Sequence, residues 1–206
     1  MPCLTPLGRP AMWRTTKLIA LALACVVLLP AGVSAAAPPT TTLTFDELNF
    51  QPVNGLHFGG VTFAFDVAGS PSSDATYGAF GPGSTTHVQD PSLEGTSAGR
   101  LTLRFDHPTT VLEFGLALST FGPLNPGARV ELFNPGGHSR GTIPLNTDSL
   151  GSFTEGRFAY RGGAIGSAVI TFDPVAGRFA LDNLTFRALP PGQSRQGASL
   201  SSAAHW

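Results

Sequence analysis

Charge is scarce in this sequence: Asp, Glu, Lys and Arg make up 12% of its 206 residues, against about 25% in an ordinary globular chain. Lysine occurs once, at Lys17. So few cations argue against nucleic acid as a partner, since phosphate binding needs a concentrated basic surface. Cysteine is confined to Cys3 and Cys25, so the rest of the chain has no disulfide and must rest on its core. No window carries a capped i, i+3, i+4, i+7 apolar stripe, which leaves little room for helix. No apolar run reaches the roughly 20 residues of a membrane span. What the chain has instead is 25 Gly, 18 Pro and 15 Phe, the composition of many turns around an aromatic core.

The first 36 residues read as a secretory signal peptide. Arg14 and Lys17 precede the apolar run Leu18 to Leu29, Pro30 and Gly32 break it, and Val33-Ser34-Ala35-Ala36-Ala37 offers an A-x-A type of cleavage site. Cys25 does not sit in a lipobox, because Ala22 stands where Leu is required and more apolar residues follow. Removal of a leader holding Arg9, Arg14 and Lys17 leaves nine basic against thirteen acidic residues, a formal charge of −4. The expected product is secreted, extracellular or periplasmic, and does not span the membrane.

Between 40 and 188, short runs alternate apolar and polar residues and are separated by Gly, Pro, Ser and Asn, the pattern of half-buried strands. Strands are expected near 41–50, 61–66, 101–105, 111–119, 128–133, 139–145, 153–161, 167–172 and 178–187. Residues 67–99 are the least regular, and read either as short edge strands with their turns or as a long loop carrying Tyr77, Phe80 and His87. The segment 189–206 lacks periodicity and reads as a disordered tail. Nine strands in about 150 residues predict an all-β, two-sheet antiparallel β-sandwich, a jelly roll, with an immunoglobulin-like sandwich as the alternative.

The first and last strands share a phase slip. In Leu43-Thr44-Phe45-Asp46-Glu47-Leu48-Asn49-Phe50 and in Phe179-Ala180-Leu181-Asp182-Asn183-Leu184-Thr185-Phe186, apolar alternation resumes one position out of phase after a polar pair. A β-bulge at Asp46-Glu47 and another at Asp182-Asn183 would restore one face. Were the two strands neighbours, Asp46, Glu47, Asp182 and Asn183 would converge as an oxygen-rich set, suited to a structural Ca²⁺, which takes about 6 to 8 oxygens. The other reading is that both pairs only end or kink strands, with Asp accepting local backbone hydrogen bonds.

These end motifs, Leu-Thr-Phe-Asp-Glu-Leu and Phe-x-Leu-Asp-Asn-Leu-x-Phe, resemble the first and last strands of galactose-binding-like jelly-roll domains of secreted bacterial proteins, among them carbohydrate-binding modules. The resemblance implies a structural calcium near the termini, at Asp46, Glu47 and Asp182, and a glycan or cell-surface component as partner.

No catalytic constellation stands out. Gly137-His138-Ser139-Arg140-Gly141 matches G-x-S-x-G, but Thr142-Ile143-Pro144-Leu145 follows, and no helix opens there as a nucleophile elbow requires. His57, His87, His107, His138 and His205 show no metal-motif spacing. Glu113, Glu131 and Glu155 are the separated carboxylates that a glycosidase pair could draw on, but Glu113 and Glu131 fall at outward strand positions and read as solvated faces. A non-catalytic secreted binding module is the first reading. A structural or adhesive envelope protein is the alternative, and a secreted hydrolase the remote one.

Overall fold

Period-two alternation puts apolar side chains on one face of each run, and in the computed structural model, which describes residues 39–189, these runs form strands. They are β1 (Thr40–Leu43), β2 (Gln51–Pro52), β3 (His57–Phe58), β4 (Val61–Val67), β5 (Ser70–Pro71), β6 (Thr76–Ala79), β7 (Ser92–Thr96), β8 (Gly99–Leu118), β9 (Leu124–Phe133), β10 (Ser139–Leu150), β11 (Phe153–Phe172) and β12 (Arg178–Ala188). Helix among the described residues is limited to one 3-10 turn, Pro174–Ala176, where the Val175 N–H donates to the Asp173 side chain.

Every ladder is antiparallel. β8 and β11 have 20 residues each, and their two halves serve different layers. The first half of β8 pairs with β4 and with the second half of β11, which continues to β9 and β10. The second half of β8 lies between the first half of β11 and β12, and that layer runs on through β7 and β6 to β2. The corner falls where the β8–β11 register slips between Arg161 and Ile165 and again before Ser167, a stretch holding Gly162, Gly163 and Gly166. Bulges and glycines are how a strand turns from one sheet into another.

Rings from the two layers meet in the middle. Phe172 of β11 stacks on Phe179 of β12 with centroids 3.9 Å apart, Phe65 of β4 lies 5.9 Å from Phe179, and Phe105 of β8 lies 5.2 Å from Phe186. Phe45, Phe63, Phe65, Phe114, Phe158 and Phe179 are fully buried, each stabilising by roughly 1.5–3 kcal/mol relative to exposure. The fold is therefore all-β, a two-sheet antiparallel β-sandwich of the jelly-roll kind, and the core follows from the Phe-rich composition.

Three details differ from the sequence reading. The runs 101–105 and 111–119 are one strand, as are 153–161 and 167–172, because the corner keeps its pairing while it bends. The first strand stops at Leu43 instead of running to 50. Residues 67–99 hold the short strands β5, β6 and β7 together with a loop over 80–91, so both readings of that segment apply to different parts of it. β1 pairs with β12 from Thr40↔Arg187 to Leu43↔Leu184, which places the two phase-slipped segments side by side.

Candidate functional site

Each phase slip is absorbed by one residue in the left-handed region. On β12, Asp182 faces Gly115 and Thr185 faces Glu113, so Asn183 and Leu184 together oppose Phe114 in a bulge, with Asn183 at φ 55°. On the other side Phe45, at φ 61° and fully buried, turns the chain out of the sheet. Asp46 and Glu47 thus close a turn, and the expected bulge there is absent because no strand continues through it. Thr44 donates from its N–H to Glu47 Oε1 at 2.8 Å and from its hydroxyl to Asp46 Oδ1 at 2.6 Å, and the buried Tyr77 hydroxyl donates to Glu47 Oε2. Burial works to raise the Glu47 pKa, but the Tyr77 and Thr44 hydrogen bonds outweigh it and hold the carboxyl below its usual range.

Asp182, only 2% exposed, accepts from the Gln89 N–H at 3.0 Å and the Asn183 N–H at 2.6 Å. Burial pushes its pKa up to about 6, and the charges of Glu47 and Asp46 add to the rise against the pull of those two N–H groups. The acidic residues of the two slips are therefore in electrostatic reach of one another. The Asn183 amide is turned away, donating to the His87 carbonyl at 3.2 Å and to Asp182 Oδ2 at 3.0 Å. Among the described residues, no three or more His, Cys, Asp or Glu side chains are gathered closely enough to hold a metal ion.

The partners of Asp182 and Asn183 belong to the loop 80–91, which lies across the outer face of the sheet built on β8, β11 and β12. Glu155 of β11 is its main anchor: the Thr85 hydroxyl and the N–H groups of Thr86, His87 and Val88 all donate to this one carboxylate. Burial works to raise the Glu155 pKa, yet the Thr85 and His87 hydrogen bonds, the His87 charge and Thr86 outweigh it and hold the carboxyl low. The loop is tied to itself as well, with Asp90 accepting from Gly81 and Gly83, both at 3.1 Å. Val88 packs on Ala117 and Ala180, and Gly115 leaves room for the His87 backbone.

This strap divides the face into two grooves. The first, about 280 Å³, has Ala117, Ala180 and buried Phe179 as its floor and Phe80, Pro82, Phe153, Glu94, Ser119 and Arg178 around it. Phe80 is 78% exposed on its rim. Burial raises the Glu94 pKa, with the Asp90 charge adding and Ser92 and Arg178 opposing. The second, about 250 Å³, is polar and is lined by Thr86, His87, Glu113, Arg157, Asn183 and Thr185.

Glu113, expected from the sequence to be solvated, is buried at 9% exposure because Arg157 and Arg161 cover it, and Glu155 is buried to the same degree. Glu113 is bridged by Arg157 Nη2 at 2.6 Å and Arg161 Nη2 at 2.5 Å. Glu131 is half-buried and accepts from the Ser139 hydroxyl at 2.8 Å. Ser139 opens β10 after a hairpin turn closed by Asn134, which accepts from the Gly136 and His138 N–H groups, so the G-x-S-x-G match is turn chemistry and not a strand-to-helix elbow. His57 pairs with Asp106 at 2.9 Å on the surface. The importance of Glu155, Gly115 and Ala117 was not foreseen. The signal for a covered face lies at the outward positions 115 and 117, which read Gly and Ala, too small for a free sheet face and suited to a covered one.

No protein-family model matches the chain, and no curated protein matches its sequence. Solved structures give distant likenesses. The enzymatically active domain of bacteriophage CBA120 tailspike protein 4 is 13% identical with a TM-score of 0.38, over 66% of this chain and 22% of that one. A family 29 carbohydrate-binding module from Piromyces equi is 13% identical with a TM-score of 0.37, over 73% of this chain and 91% of that one. A mutant module of that family complexed with mannohexaose is 11% identical with a TM-score of 0.36, over 72% and 90%. The chain thus spans about nine tenths of these modules and about a fifth of the tailspike domain. At such scores these likenesses carry no argument about ligand or site, and the functional reading rests on this chain's own residues.

Proposed function

We propose that this protein is a secreted, non-catalytic carbohydrate-binding module that seats a sugar in the groove beside Phe80. The observation that carries the proposal is an exposed phenyl ring on the rim of a groove whose walls present a carboxylate, Glu94, a guanidinium, Arg178, and a hydroxyl, Ser119. Sugars present just these two chemistries, an apolar C–H face for the ring and paired hydroxyls for the polar groups. At about 280 Å³ the groove suits a single sugar unit of a chain, since whole drug-sized ligands take about 300–1,000 Å³. A glycosidase would need two carboxylates across the groove, and Glu94 is the one among its lining residues, Glu155 holding the loop and Glu113 lying between two arginines.

A structural calcium at Asp46, Glu47, Asp182 and Asn183 belongs to the same proposal. It is supported by the oxygen donors of the set and by the position of Asp182, which burial raises and the Glu47 and Asp46 charges raise further. Each residue already has a protein hydrogen bond, so the ion would have to draw Asp46 inward. Secretion follows from the leader-like residues 1–36.

Glycan-array binding and retention on insoluble polysaccharides test the function. Retention on at least one glycan is expected, and none on any of them overturns the reading.

A further inference from the structure

Arginines gather at the second groove, where the first has Arg178 alone. Glu113 is neutralised by Arg157, and Arg161 bridges the same carboxylate from two outward positions further along β11, leaving this triad one positive charge over. Their side chains stay 57% and 69% exposed, so most of the guanidinium donors face solvent. A third arginine joins them. Val111 pairs with Arg161 on one side and Arg187 on the other, and alternation along β12 puts Arg187 on the face of Thr185. Arg187 bridges no carboxylate among the described residues, and its Nε, sealed from solvent, has no hydrogen-bond partner among them. Two other carboxylates lie on this face, and neither bridges one of these arginines: Glu155 faces the N–H and hydroxyl donors of the loop, and Asp182 faces the N–H groups of Gln89 and Asn183.

We propose that this groove is a subsite for an anionic sugar, one bearing a carboxylate or a sulfate, with Arg157 in its lining and Arg161 and Arg187 beside it supplying charge, and with Thr86, Asn183 and Thr185 meeting hydroxyls. The inference rests on the glycan-binding reading and adds the charge of the ligand to it. Planar guanidinium forks match such oxyanions bidentately. The protein as a whole is acidic, so the attraction is local to this face and is screened by salt.

The test is retention of the full chain on polygalacturonate, on dextran sulfate and on neutral dextran, at low and raised salt. Retention on an anionic polymer, weakening with salt, is expected; polygalacturonate alone would identify the carboxylate, dextran sulfate alone the sulfate. Arg187→Gln, which leaves the Glu113 bridges intact, is expected to weaken it roughly tenfold, the order of one charged hydrogen bond. Glu113→Gln is expected to strengthen it, the opposite of what loss of folding would do. Binding to a neutral glycan with no retention on either anionic polymer overturns this inference and leaves the proposed function standing. Anionic retention unchanged in Arg187→Gln also overturns it, and failure to bind any glycan overturns both.

Discussion

Gly115 of β8 lies directly beneath His87: a β-carbon on Gly115 would come within 2.0 Å of the His87 carbonyl oxygen and 2.7 Å of its carbonyl carbon. Backbone cannot yield as the tip of a side chain can, so any side chain here must lift the loop. Gly115→Ala is expected to destabilise the protein by about 1–3 kcal/mol, the usual cost of overpacking. Hydrogen exchange should show faster exchange confined to residues 84–89. A variant as stable as the parent, with unchanged exchange, would mean that the loop does not rest on this strand.

Glu155 holds that loop through four donors on one buried carboxylate. Glu155→Gln keeps the shape but replaces one acceptor oxygen with a donor facing N–H groups, so at least one of them loses its partner. The expected cost is about 1–3 kcal/mol, the penalty for an unsatisfied buried group. Chemical denaturation measures it, and Glu155→Asp, which keeps the charge at shorter reach, should fall between the two.

Titration of Asp182 gives stability an unusual pH profile. Its folded pKa of about 6 stands above the ordinary 3.8, so between those values the folded protein keeps a proton that the unfolded chain has released. Acidification from neutral through that window should add stability, and the gain is lost again as pH rises through about 6. Glu47 and Glu155, both held low, act the other way: their contribution is present above the ordinary carboxyl range and is lost as pH falls through their folded values. Thermal melts from pH 7.5 to 3 are expected to rise and then fall, and Asp182→Asn should flatten the rise. Bound calcium would favour the ionised carboxylate and abolish the rise too, so the same melts with calcium and with chelator check the cation. Identical curves would remove it.

The phase slip was legible because period-two alternation is local and strict: a break at Asp182-Asn183 has to be paid out in backbone, and Asn183 at φ 55° does so. The adjacency of β1 and β12 and the Phe core were legible for similar reasons. The turn at Phe45 was not, since a buried phenylalanine in the left-handed region is held there by tertiary packing against Tyr77, 4.9 Å away, and Phe63. Nor was the strap visible, because its anchors pair residues 67 to 96 positions apart. Glu113 and Glu155 look like surface charges until those distant partners are in place.

Phe80 separates binding from folding. At 78% exposure it buries little, and its removal is expected to change stability by no more than about 0.5 kcal/mol, as for other surface positions. Its ring is nonetheless the apolar platform on which the proposed sugar lies, so Phe80→Ala should abolish or sharply weaken retention on whichever glycan the parent binds, with an unchanged melting temperature. Phe121, 80% exposed and not part of this groove's lining, is the control: Phe121→Ala should leave retention as it was. Equal losses in both variants would point to general surface stickiness, and full retention in Phe80→Ala would take the sugar out of this groove, because nothing else on its rim offers an exposed ring of that size.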